Sequence, residues 1–144
     1  METAKISFDI ETSDTECPLG VEIWLDNTLL LTLNHVQQKI SFAHDIIDDD
    51  GEHELRIVMS GKTTEHTQVD EADNIIKDAT LQISNVVIDD LDVNQLFLEK
   101  CMYIHNFNGT QPEIIDTFYG AAGCNGTISF KFSTPIYLWL LENM

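Results

Sequence analysis

The chain has 144 residues, the size of one domain spanning 1–144 whose core needs no disulfide staples. With 43% hydrophobic and 22% charged residues it is globular in composition, and 25 Asp plus Glu against 7 Lys plus Arg leave a formal net charge of −18. That balance excludes nucleic acid and anionic membrane as expected partners, because both are gripped through Lys and Arg, and it leaves divalent cations, cationic patches and neutral polar ligands such as sugars.

The polar start, Met1-Glu2-Thr3-Ala4-Lys5, carries no secretory signal, and the longest apolar run, Ile136 to Leu141, is far shorter than the roughly 20 residues of a membrane helix. A soluble protein made in the cytoplasm is expected. Cys17, Cys101 and Cys124 are odd in number and widely spaced, so they predict free thiols and neither a disulfide framework nor a CxxC metal clip.

Taken in order, the elements follow a period of two. Lys5 to Ile10 puts Ile6, Phe8 and Ile10 on one face, and Val21 to Leu25 does the same with Val21, Ile23 and Leu25. Asp26-Asn27 is the short polar break of a hairpin leading into Thr28 to Leu33. Lys39 to Ala43 is the next strand, and the acidic turn Asp48-Asp49-Asp50-Gly51 leads into His53 to Met59. A loop is expected over 61–78. Thr80 to Ile88 reads as a strand with Leu81, Ile83 and Val87 on one face and an irregularity near Asn85. Leu91 to Leu98 is either a strand or a short helical turn, Cys101 to His105 is extended, and Thr127 to Phe132 alternates cleanly. Ser133-Thr134-Pro135 suits the start of a helix, yet Ile136 to Leu141 also suits a buried strand, which we favour. Eight to ten short strands separated by acidic and Gly-containing turns predict an all-β antiparallel β-sandwich or jelly roll with a C-terminal extension of strand or short helix.

Chemistry-bearing patterns are sparse. Placing Gly51 at the sixth position of an EF-hand loop puts Ile46 and Ile57 where carboxylates are required, so that match fails. Asp70, Glu71, Asp73 and Asp78 crowd the 61–78 loop, and such carboxylates repel one another unless a hard cation or solvent screens them. Asp70, Asp73 and Asp78 are the candidate calcium ligands. Gly120, Gly123 and Gly126 precede a strand and lack the Lys-Ser/Thr of a phosphate loop; the five histidines have no metal-ligand spacing, and no GxSxG occurs. No catalytic residues are assigned and a non-enzymatic protein is expected. Trp24, Tyr103 and Tyr119 are the candidate ligand-binding aromatics, since pyranose faces are apolar and stack on rings.

Val21-Glu22-Ile23-Trp24-Leu25-Asp26-Asn27, then Gly51-Glu52-His53-Glu54-Leu55-Arg56-Ile57-Val58, then Asp78-Ala79-Thr80-Leu81-Gln82-Ile83 and Val86-Val87-Ile88-Asp89 resemble the calcium-dependent xylan-binding carbohydrate-binding modules over residues 4–93. The resemblance implies a jelly-roll sandwich and, through Asp78, a calcium ligand that coordinates sugar hydroxyls. Two family elements differ: Ser60-Gly61 stands where the family has Asn-Asp, and Ala79-Thr80 where it has Arg-Asn. Residues 94–144 add strands and the C-terminal extension, and the stretch from Tyr103 to Met144 resembles the closing segment of small proteins of T4-type marine phages. Together the resemblances imply a sugar-binding domain on a phage virion or tail, its partner a glycan. The rival expectation is a structural or assembly protein that packs against other phage proteins or copies of itself through its sheet edge or its Tyr137/Trp139 terminus.

Overall fold

A computed structural model describes residues 3–62, 67–69, 71–72, 75–107 and 109–143. Its strands are β1 (Thr3–Thr12), β2 (Gly20–Leu25), β3 (Thr28–Leu33), β4 (Ile40–Ile47), β5 (Glu52–Ser60), β6 (Thr67–Val69), β7 (Ile75–Asp78), β8 (Leu81–Ile88), β9 (Leu91–Asp92), β10 (Met102–His105), β11 (Ile114–Thr117), β12 (Ala121–Ala122) and β13 (Gly126–Ser133), with helices α1 (Asn94–Lys100) and α2 (Ile136–Asn143). One antiparallel sheet runs β12-β8-β1-β4, with β9 beside β8; the other runs β11-β10-β13-β5-β2-β3. The two form an antiparallel β-sandwich, as the alternation predicts. β6 and β7 pair as a separate hairpin inside the stretch expected to be loop. They are too short to carry a readable period.

Alternation builds the seam between the sheets. Ile6, Phe8 and Ile10 of β1 turn inward against Val21, Ile23 and Leu25 of β2, Leu55, Ile57 and Met59 of β5, and Ile128, Phe130 and Phe132 of β13; all are buried in one apolar cluster. Asp26 and Asn27 have φ of 48° and 71°, and Leu25 pairs with Thr28, which is the two-residue hairpin expected from their short polar side chains.

Near Asn85 the irregularity is real, and it changes the inward set. Asn85 has a φ of 56°, and the β1–β8 register shifts between Ser7 and Asp9. One extra residue therefore reverses the parity of β8, so Val86 and Ile88 turn inward in place of the expected Val87. Asn85 donates to the Asp9 carboxylate at 2.8 Å, and that bond, with another from Ser41, holds the Asp9 carboxyl below its ordinary range.

Leu91 to Leu98 resolves into β9 followed by α1, whose Phe97 is fully buried. The C-terminal segment is a helix, which corrects the favoured strand. The Pro135 carbonyl accepts from the Leu138 and Trp139 amides and opens the first turn; at i, i+3 and i+4 spacing, Ile136 and Trp139 are buried and Leu140 packs beside them. A strand would have alternated Tyr137, Trp139 and Leu141 on one face, whereas Tyr137 and Leu141 are exposed. Phe130 is the meeting point, with its ring centroid 5.1 Å from Phe97, 5.5 Å from Phe132 and 5.5 Å from Trp139. Phe130→Ala is expected to cost about 3–5 kcal/mol in urea unfolding, against less than about 0.5 kcal/mol for Tyr137→Ser at an exposed position.

Candidate functional site

Trp24 lies between the buried Ile23 and Leu25, so its indole points out from the larger sheet. Register builds a row beside it: Trp24 opposes Arg56, Arg56 opposes Ser129, and Ser129 opposes Met102. The Arg56 guanidinium stands 5.5 Å from the Trp24 ring centroid, a cation–π contact worth about 0.5–1 kcal/mol where solvent reaches it. Carboxylates flank the pair. Trp24 Nε1 donates to Glu22 at 3.2 Å, Ser129 donates to Glu54 at 2.8 Å, Arg56 Nε lies 3.6 Å from Glu54, and Arg56 Nη2 donates to Asn27 at 3.1 Å. The outer face of β2, β5 and β13 thus offers an aromatic ring bordered by hydrogen-bond acceptors and a fixed donor fork. Such a set suits a polyol with an apolar face and a hydroxylated rim. Of this face the sequence singles out Trp24; Arg56, Glu22 and Glu54 share it through their parity on β2 and β5.

The other two aromatics lie elsewhere. Tyr103 is buried: its hydroxyl donates to the Cys124 carbonyl at 2.5 Å and accepts from the Cys124 amide at 2.8 Å, while its ring stacks on His105 at 4.4 Å. Burial pushes its phenol up to about 12, with Cys124 and Asp116 adding to the rise against the lowering effect of the Cys124 backbone bond. Tyr119 is 84% exposed. No ring contact joins Trp24, Tyr103 and Tyr119.

Asp70 and Asp73 lie outside the described residues, and Asp78 closes β7. Among the described residues, no group of three or more His, Cys, Asp or Glu side chains is arranged to hold a metal ion. Cys17 and Cys101 are buried, and burial holds the Cys101 thiol far above its ordinary range.

One end of the sandwich carries a second constellation, which the sequence reading passed over. His53 at the start of β5 is buried, with Nδ1 2.5 Å from Asp26 Oδ2 and Nε2 3.0 Å from Asp49 Oδ1. Asp26 Oδ1 also accepts from the Glu54 amide at 2.8 Å, and Asp49 Oδ1 from the Gly51 amide at 3.1 Å. The Thr134 hydroxyl reaches the same corner, 3.3 Å from both His53 Nε2 and Asp49 Oδ1. Desolvation alone would lower the His53 value, but the hydrogen bonds and charges of Asp26 and Asp49 outweigh it and raise the imidazole above its ordinary range. Desolvation works to raise Asp49, and the Gly51 amide, His53 and Thr134 override it to leave that carboxyl low. His53 lines an open cleft of about 550 Å³ together with Glu52, Lys131, Trp139 and Glu142. It also lines a smaller one of about 280 Å³ with Leu30, His44, Asp45 and Ile47.

Two solved structures share this architecture. One is the selenomethionine form of vCBM60, described with a circular permutation that links two families of calcium-dependent carbohydrate-binding modules: TM-score 0.55, 13% identity, 88% of this chain and 89% of that chain covered. The other is vCBM60 in complex with galactobiose: TM-score 0.52, 13% identity, with 88% and 96% covered. The likeness is one of fold. No protein-family model and no curated protein sequence matches this chain.

Tyr103→Phe removes the hydroxyl that bridges the Cys124 amide and carbonyl, so it is expected to cost about 1 kcal/mol in chemical unfolding. In alkaline absorbance titration it is expected to abolish an ionisation step near pH 12.

Proposed function

We propose that the chain is a non-catalytic, carbohydrate-binding-module-like domain whose partner is a glycan. The observation that carries this reading is the sandwich fold shared, over nearly the whole length of both chains, with vCBM60, a structure of which holds galactobiose. The outer face around Trp24 and Arg56 supports it with the chemistry a sugar needs; Tyr119, exposed away from that face, is a separate candidate ring. The calcium share of the proposal falls to Asp70, Asp73 and Asp78, and it rests on the crowding of acids there and on the module-like sequence. A virion or tail setting rests on the resemblance of residues 103–144 alone.

A second reading, an assembly domain, is favoured by a specific observation. On α2, Tyr137, Leu138 and Leu141 are 54%, 46% and 71% exposed and form an apolar strip. Trp139, expected to share that contact, packs on Phe130 instead.

A glycan array probed with and without calcium, including galactobiose, tests the first reading. Binding without hydrolysis is expected, weakened at least tenfold by Trp24→Ala, while calorimetry with calcium alone is expected to lose its heat in Asp73→Asn/Asp78→Asn. No sugar hit in either condition, or turnover of a bound sugar, contradicts it. For the second reading, light scattering is expected to show an oligomer that Leu138→Glu/Leu141→Glu dissolves.

A further inference from the structure

Each ring nitrogen of His53 faces a carboxylate oxygen, Nδ1 toward Asp26 and Nε2 toward Asp49. A carboxylate only accepts, and a neutral imidazole has one N–H, so a neutral ring would leave one nitrogen lone pair against a carboxylate lone pair. The Thr134 hydroxyl does not remove that conflict. It lies 3.3 Å from Nε2, while Asp49 Oδ1 lies nearer at 3.0 Å and competes for the same proton. Both contacts are satisfied together only by the doubly protonated ring.

The three partners belong to separate parts of the chain. Asp26 sits in the β2–β3 turn, Asp49 in the β4–β5 turn, and Thr134 just before α2, where its hydroxyl also accepts from the Asp49 amide at 3.3 Å. Thr134 and Gly51 are joined again through the backbone, the Thr134 amide donating to the Gly51 carbonyl at 3.0 Å. His53 is only 7% exposed and, with Asp26, lines both clefts. We propose that His53 is an imidazolium latch: one proton ties both acidic turns and the foot of α2 together, and its loss loosens this end of the sandwich and opens one cleft toward the other.

Among the described residues, charged groups face the latch from the strands and the helix around it. Asp26 and Asp49 touch the ring; Glu52 and Glu54 on β5, Lys131 on β13 and Glu142 on α2 line the larger cleft, and His44 and Asp45 on β4 line the smaller. Acids outnumber bases there, which favours the charged ring. The raised imidazole value sets the direction of the response. Since the folded value lies above that of the unfolded chain, the latch contributes fully below about pH 6.5 and is lost as pH rises through the folded value.

The test is a side-chain nitrogen NMR titration of the full chain from about pH 5 to about pH 9, with hydrogen exchange at the α2 amides and the Trp139 indole followed in parallel. Expected is a doubly protonated His53 signal that persists above the titration of an ordinary histidine, and α2 exchange that accelerates as that signal is lost. Asp26→Asn and Asp49→Asn are each expected to move both events to lower pH together, while His44→Gln leaves them in place. If a variant does not fold, the wild-type titration alone decides. A neutral His53 ring at the acidic end overturns the proposal, and so does α2 exchange that ignores the His53 titration.

Discussion

Burial of alternate side chains between two facing sheets is the constraint on which the rest of this molecule depends. Each strand of the seam has one apolar face, and neither sheet can shed that face into water without the other. Phe130 shows how far the dependence reaches, for one ring joins β13 to α1 through Phe97 and to α2 through Trp139. Because the inner faces are spoken for, everything available for recognition lies on outer faces and at the sandwich ends.

The outer face of the larger sheet and the sandwich end are built on different physics. Around Trp24 and Arg56 the side chains are half-buried or exposed, and their ion pairs are individually weak, so the value of the row is its fixed geometry on strands. Around His53 the ring is buried between two acids that remain partly exposed, so a single proton has leverage. A net charge of −18 makes a proton on imidazole easier to keep in such a place.

Much of the sandwich was legible because period-two alternation is strong wherever one face is buried, as in β1, β2, β5 and β13. It was illegible where that condition fails. β11 is exposed along its whole length and carries no alternation, and β6, β7, β9 and β12 are two to four residues each. The bulge at Asn85 was visible as an irregularity, but the reversal of parity it causes depends on where the extra residue sits. At the C-terminus an apolar run without polar punctuation fits helix or strand equally, and packing against Phe130 decides for the helix. Of the candidate site, Trp24 could be placed outward from its neighbours, whereas the burial of Tyr103 reflects contacts with residues 21 positions away. Asp49 lies only four positions from His53, whereas Asp26 lies 27 positions away and is brought to the ring by topology alone.

The proposed glycan-binding role requires a sandwich surface that holds sugar without altering it. Chemical-shift mapping of the backbone and indole resonances during addition of galactobiose, with calcium and then with a chelator, tests this most directly. The account predicts saturable shifts confined to one outer surface, that of Trp24 and Arg56, with the disaccharide recovered intact. Resonances that stay fixed throughout, or cleavage of the disaccharide, would contradict it.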